Sequence, residues 1–254
     1  MVIHAPRMNI PRAFFMSDLH LEAGRPELTA ILQRFLADCP GRVDELFLLG
    51  DIFEAWIGDD DDAPWLVPVV DALRRASDAG VRIFFQHGNR DFLLGEAFAT
   101  RAGMILLPES LALDLGGVAT VLCHGDALCT DDVDYQAFRA RSRDPAWQAQ
   151  ILAMPLDARR GLARQLRQES MDGQQRRLAE DGVLTDVNEA AVRDCMHDHG
   201  AMRLIHGHTH RPAVHGVALD GGSGERVVLA DWRSEGEVLE VRSDGSFRRH
   251  TLRG

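Results

Sequence analysis

Two pairs of residues spaced two apart, Asp18-Leu19-His20 and His206-Gly207-His208, are the first feature of this chain able to do chemistry. Residues two apart on an extended chain point the same way, so each pair can aim two donor atoms at one centre. Between them lie Gly50-Asp51, Gly88-Asn89-Arg90-Asp91 and Cys123-His124-Gly125-Asp126. Taken together, Asp18, His20, Asp51, Asn89, His124, His206 and His208 offer carboxylate, imidazole and amide donors and no thiolate. Such a set suits Mn²⁺, Fe or Zn in a reactive site better than a closed structural zinc site. Seven side chains are too many for one cation that keeps an open position. Two cations roughly 3.5 to 4 Å apart, sharing one carboxylate, would use all seven. Singly each residue is ordinary, because Asp and Asn cap helices and His often sits in turns.

The elements that must position these residues alternate. Segments 13–17, 45–49 and 81–86 read as strands and 28–36 and 65–76 as helices, the pattern of an α/β layer fold. A polar donor follows each strand directly, and in open α/β sheets the ligand crevice lies at the carboxyl ends of the strands. Beyond Met104, segments 111–115 and 118–123 flank Gly116-Gly117 as a hairpin. Segments 203–206, 214–219, 226–230, 237–241 and 247–251 read as further strands, whereas 131–200 is helical in composition. The expected organisation is a core of 1–130 and 201–254 with a helical insertion, 131–200, between its halves.

The insertion differs in charge from the rest. Between Gln136 and Arg177 there are nine arginines against four acids, in a chain whose formal net charge is −11. Trp147, Ile151, Leu152, Met154, Leu156, Leu162 and Leu166 are interleaved with them. A basic amphipathic stretch of this kind reads as a membrane-surface or anionic-ligand face, or as a helical hairpin packing its apolar stripe on the core.

Composition excludes several classes. All 28 basic residues are arginine, which rules out a Walker-type phosphate loop and any lysine Schiff base. The acidic balance argues against a general nucleic-acid binder. Apolar runs fall far short of the roughly 18 residues a membrane span needs. His4, Arg7 and Arg12 interrupt any secretory signal, and the four cysteines show no paired spacing, so a reducing cytoplasm is expected. Asp59 to Asp62 reads as a solvated turn before a helix start at Pro64. His197 and His199 read as helix C-terminal cations, and His87 and His210 as either supporting groups around the donors or structural ones.

Asp-x-His, Gly-Asp, Gly-Asn-x-Asp, His-Gly-Asp and Gly-His-Thr-His, in this order, resemble the calcineurin-like metallophosphoesterases. Longer stretches, FMSDLHL, LGDIFEAWIGDD, FQHGNRDFLLGE, LCHGDALCTDD, TDVN and LIHGHTHRP, resemble the branch of that family that cleaves UDP-2,3-diacylglucosamine in lipid A assembly. The resemblance implies an αββα sandwich with an inserted helical lid, and a dinuclear, usually manganese-dependent hydrolase peripheral to the cytoplasmic face of the bacterial inner membrane. It implies one cation on Asp18, His20, Asp51 and His208 and a second on Asp51, Asn89, His124 and His206. The implied reaction is in-line attack of a metal-bridging hydroxide on the UMP phosphorus, with Asp51, Asn89, Arg90 and His124 in catalytic roles. UMP and 2,3-diacylglucosamine 1-phosphate (lipid X) are the implied products.

Arg90 bears on the substrate. Many members of the wider family resemble Gly-Asn-His-Asp there, and that histidine can protonate an alkoxide; a guanidinium cannot. The leaving group should therefore be stable as an anion, as a sugar phosphate is. Alternatively, Arg90 serves only as a partner of Asp91. By resemblance, Asn89, Arg90, Asp132, Tyr135, Arg167, Ser170, Gln174, Arg177 and His206 contact substrate, although Ser170 and Gln174 could be exposed helix polars. The expected partners are a lipid-linked nucleotide sugar and the inner-membrane surface, for a monomer that binds no nucleic acid. The competing readings are a soluble nucleotide-sugar or dinucleotide pyrophosphatase of the same family, and a non-catalytic scaffold.

Overall fold

The computed structural model describes residues 12–181 and 186–254, with only the backbone described for 174–181. Eleven strands in two sheets dominate it. β1 (Arg12–Met16), β2 (Glu45–Leu49), β3 (Arg82–Gln86) and β4 (Met104–Leu106) run parallel, while β10 (Gly236–Arg242) and β11 (Phe247–Leu252) add an antiparallel edge, in the order β11-β10-β1-β2-β3-β4. The second sheet is β5-β6-β7-β9-β8, from Ser110–Leu115, Val118–Cys123, Arg203–His206, Gly222–Val228 and Ala213–Leu219 respectively. In it β6, β7 and β9 are parallel.

Alternation along the strands builds the layers. Ala13 and Phe15 of β1, Phe47 and Leu49 of β2 and Phe84 of β3 meet Leu122, Ile205 and Val227 of the other sheet. Phe15, Phe47 and Phe84 stack across three strands with ring centres 4.9 and 4.8 Å apart. Their neighbours Met16, Leu46, Leu48, Ile83 and Phe85 face outward and are covered by α1 (Pro26–Asp38), α2 (Val67–Asp78) and α3 (Glu96–Ala102). α1 follows from a period of apolar residues, Leu28, Ile31, Leu32 and Leu36, opened by Pro26 at its first turn.

The described residues between 131 and 200 form α4 (Val133–Ser142), α5 (Pro145–Leu152), α6 (Leu156–Asp181) and α7 (Glu189–Asp198). Asp132 and Asp144 start α4 and α5 by accepting the backbone N–H groups of Tyr135 and Trp147. α7 differs from the other three. Its Val192 and Met196 pack with Val121 and Leu204 of the second sheet. It thus supplies the outer layer on that side, because a sheet face left bare would expose those apolar residues to water. We therefore place the lid at α4 to α6, shorter than the 131–200 expected from composition.

The arginines of the lid also do something the sequence did not disclose. Arg139 and Arg143 hold Asp126 and Glu109 of the core; Arg159 holds Asp60; Arg160 holds Asp61 and Asp62; Arg167 holds Glu22 and Glu54. Five of the nine insert arginines thus fasten the lid to core acids rather than form a free basic face. The Asp59–Asp62 run is a turn with Asp60 and Asp62 largely exposed, as expected, and it also receives Arg159 and Arg160. Its first member, Asp59, accepts the backbone N–H groups of Gly95 and Phe98 at the start of α3.

Candidate metal centre and substrate cleft

Five parallel strands, β1, β2, β3, β6 and β7, end at one edge, and the loops after them carry every donor singled out in the sequence. The loops are laced to one another by backbone hydrogen bonds. Asp18 N–H donates to Gly50 O at 3.0 Å, His20 N–H to Asp51 O at 3.0 Å, and Gly207 N–H to His124 O at 2.9 Å. Glycine is required at the closest approaches. A Cβ on Gly50, where φ is +85°, would lie 2.7 Å from His124 Nδ1 and against the backbone of Gly88.

Among the described residues, five other than glycine adopt positive φ: Asp18, His20, Asp51, His208 and His210. Left-handed backbone costs of order 1 kcal/mol for a residue with a side chain and persists only where the surroundings enforce it. All five sit at this edge, and four of them were singled out as donors. Strain of this kind gathers where side chains must be re-aimed from a strand end toward a common point.

Asp18, Asp51 and His124 are buried and bring ligand atoms within 4.8 Å of one another, and Asp18, His20 and His210 do the same. Asp18 belongs to both groups. Asn89 Oδ1 lies 3.1 Å from His124 Nε2, which attaches the amide to the first group. His208 is less simple than expected. Its backbone N–H donates to Asp18 Oδ2 at 2.9 Å, but its ring packs 5.1 Å from that of His124, and His210 stands beside Asp18 and His20 instead, 3.2 Å from Asp18 Oδ1. His206 is turned aside, with Nδ1 2.8 Å from Gly207 O and Nε2 3.5 Å from the Arg226 guanidinium. Five of the seven expected donors, Asp18, His20, Asp51, Asn89 and His124, are therefore gathered around two neighbouring points with His210 beside them, while His208 packs on His124 and His206 lies alongside.

The electrostatics of the cluster fit cations. Burial pushes the Asp51 carboxyl up to about 6, the nearby His124 opposes this and the charge of Asp91 adds to it. Burial also works against the charged form of His20, yet Glu54, Asp51 and Asp18 together raise it to about 9. Burial lowers His206 to about 4 and His208 to about 3, so both rings are neutral near pH 7 with a lone pair available. Two buried carboxylates, imidazoles of which His206 and His208 are neutral near pH 7, and an amide make a donor set suited to hard or borderline divalent cations. The residues present therefore fit a dinuclear centre.

Beside the cluster a cleft of about 350 Å³ opens between core and lid. Its lining combines polar groups, among them Glu54, Asn89, Arg90, Tyr135 and Arg167. It also includes the apolar Phe92, Phe138, Trp147, Ile151, Leu162 and Leu166, with Arg141 lying over the rings of Phe138 and Trp147. Arg90 faces the cleft, and among the described residues its buried Nε has no hydrogen-bond partner. Asp91 is not its partner: that carboxylate accepts the N–H groups of Ile52 and Gly88, both at 2.8 Å. An unpaired buried guanidinium nitrogen costs stability unless something else binds it.

The chain matches the calcineurin-like phosphoesterase family over residues 11–212. It belongs to that family. Its similarity to individual members runs through the lid as well. It is 48% identical over 235 residues to a protein of Stenotrophomonas maltophilia named UDP-2,3-diacylglucosamine hydrolase, covering 91% of this chain and 95% of that one. It is 50% identical over 227 residues to a protein of the same name from Chromohalobacter salexigens, covering 89% and 91%. A Xanthomonas axonopodis protein of that name is 48% identical over 240 residues, covering 91% and 96%.

Within this phosphoesterase the substrate contacts expected in the lid divide. Tyr135, Arg167 and Ser170 line the cleft. The Tyr135 hydroxyl donates to Asp126 at 2.8 Å, and burial together with that carboxylate pushes its phenol far above the usual range, so it stays protonated. Asp132 caps α4. The side chains of Gln174 and Arg177 lie outside the described residues. Sequence reasoning did not single out Glu54 or Asp126. Glu54 lies 2.9 Å from His20, and Asp126 gathers Tyr135, Arg139 and Arg143. The one available signal was their place within LGDIFEAWIGDD and LCHGDALCTDD.

Proposed function

We infer that this chain hydrolyses the diphosphate of UDP-2,3-diacylglucosamine to UMP and 2,3-diacylglucosamine 1-phosphate, a step of lipid A biosynthesis. The observation that carries this reading is that a cleft lined by Arg90 and Arg167 and by large apolar side chains shares Asn89 with the donor cluster. A diphosphate suits the guanidinium groups and donors, and acyl chains suit the apolar side chains. The named relatives, similar along nearly the whole chain, support the same reading.

One cation would be held by Asp18, His20, Asp51 and His208, with His210 adjoining, and the other by Asp51, Asn89, His124 and His206. Divalent ions bound there, Mn²⁺ suiting these donors, supply charge that polarises phosphoryl oxygens and makes a water acidic enough to attack phosphorus. Arg90 offers its guanidinium, whose buried Nε has no partner among the described residues, to the phosphoryl oxygens, where negative charge grows during displacement. It has no proton to give, and a sugar phosphate leaves without one. Asn89 orients the same group from the next position. Arg167 and Ser170 reach the departing sugar phosphate, and the Tyr135 ring walls the site from solvent. Asp132, Gln174 and Arg177 are assigned to the sugar end. The apolar cleft shields the acyl chains.

Among the described residues no helix is long and apolar enough to cross a membrane. We place the protein peripherally at the cytoplasmic face of the inner membrane as a monomer, with the exposed Arg164, Leu152 and Met171 of the lid toward the lipid.

The decisive experiment follows both products of UDP-2,3-diacylglucosamine by mass. Chelator-treated protein should release UMP only when Mn²⁺ is returned, and Asp51→Ala or His124→Ala should abolish release. Turnover without a divalent ion, or retained by either variant, would overturn the dinuclear assignment. Equal rates on UDP-glucosamine would remove the acyl cleft from the account and favour a soluble nucleotide-sugar pyrophosphatase.

A further inference from the structure

Glu54 stands three residues after Asp51 in the loop that follows β2, and its two carboxylate oxygens serve different neighbours. Oε2 lies 2.9 Å from His20 Nδ1, an approach oblique to the ring N–H. Oε1 lies 3.1 Å from Arg167 Nε, on lid helix α6. The opposite ring nitrogen of His20, Nε2, faces the donor cluster, 3.3 Å from His210 Nε2 and 3.9 Å from Asp18 Oδ1. The Glu54 side chain is only 14% exposed, so the two contacts share a carboxylate largely removed from water. Arg167 has a second anchor in Glu22, whose Oε2 is 3.3 Å from Nη1. Among the contacts described, Glu22 reaches Arg167 and does not reach His20.

We propose that Glu54 is a positioning residue that couples the lid to the cation site, by orienting His20 through one oxygen while its other oxygen is held by Arg167. The proposal rests on the functional reading above, in which Arg167 faces the sugar phosphate. A carboxylate behind a ligating imidazole fixes the ring and strengthens it as a donor, and its loss commonly weakens cation binding 10- to 100-fold. A guanidinium on the same carboxylate draws charge away from that contact. An anionic sugar phosphate that takes Arg167 for itself leaves Glu54 to His20 alone. Substrate and cation should therefore tighten each other's binding, and by linkage the factor is the same in both directions.

The test is the Mn²⁺ affinity of the full chain without substrate, read from the free-ion electron paramagnetic resonance signal. Glu54→Gln should weaken affinity about tenfold. Arg167→Ala should tighten it about two- to threefold in the parent chain and leave it unchanged in the Glu54→Gln background. Glu22→Gln should stay within about twofold of the parent. Glu54→Asp, which keeps the charge and shortens the reach, should behave like Glu54→Gln, and thermal melts of each variant report whether it folds. Parent-like affinity in both Glu54 variants, or the same Arg167→Ala effect in both backgrounds, overturns the coupling while the functional reading stands. A parent chain that binds no Mn²⁺ brings down that reading and the coupling with it.

Discussion

Asp51 Oδ1 accepts the backbone N–H of Arg90 at 2.8 Å, so a carboxylate of the donor cluster also fixes the loop that carries the guanidinium facing the cleft. One side chain thus sets both the cation site and the position of the charge beside it. Its burial has a thermodynamic consequence. An acid whose folded pKa exceeds its unfolded value subtracts stability as pH rises from the unfolded value to the folded one, and the full penalty remains above. For Asp51 that window runs from 3.8 to about 6. Cation-free Asp51→Asn should therefore melt higher than the parent at pH 8, by on the order of 2–3 kcal/mol, and no higher below pH 4. The same substitution should lower hydrolysis at least about a thousandfold, because Asp51 is the carboxylate proposed to serve both cations. Calorimetric melts at both pH values check the first part and UMP release the second.

Arg90→Lys should lose most of what Arg90→Ala loses. A lysine ammonium is a point charge without the planar fork that matches two phosphoryl oxygens. The expected fall in kcat is about 10²–10³-fold for both, with Mn²⁺ affinity little changed. A lysine variant with parent-like kcat would show that charge alone suffices.

The lid should detach unevenly. Arg159 is buried and makes bonds to Asp60 at 2.7 and 2.5 Å and to the carbonyls of Ile57 and Met154. Arg160 binds Asp61, Asp62 and Asp157 with 33% of its side chain exposed. Arg159→Ala leaves the buried Ile57 carbonyl unpaired and should cost about 1–3 kcal/mol, whereas Arg160→Ala should cost under about 1 kcal/mol. Proteolytic nicking between α5 and α6 should rise in the first variant only.

Gly207→Ala tests the packing of loops rather than a ligand. A Cβ there would collide with the Asp18 carboxylate and the Ser17 side chain, both fully buried. Mn²⁺ affinity should fall about tenfold or more while the melting temperature drops by only a few degrees. Unchanged affinity would show that the two loops can separate without moving Asp18.

Membrane attachment should be weak and sensitive to salt. Five lid arginines are engaged with core acids, which reduces the basic charge offered to a lipid surface. Sedimentation with anionic vesicles at low ionic strength should carry the protein down, and about 0.5 M salt should release it.

The sequence alone set which residues end strands, because alternation of apolar and polar residues forces strand faces, and a polar residue after an apolar run has to stand at the sheet edge. That is why Asp18, Asp51, Asn89, His124 and His206 could be placed before any coordinates. The parallel order of β1, β2 and β3 followed from the helices between them. Pairing across the fold was decided only in three dimensions. His210 reaches Asp18 across 192 positions, Arg167 reaches Glu54 across more than a hundred, and Arg159 reaches Asp60 across 99. Such contacts depend on backbone turns at positive φ and on how far α6 lies from β2, and neither leaves a periodic trace in the chain. Local pattern fixes which way a side chain points; only packing fixes what it meets.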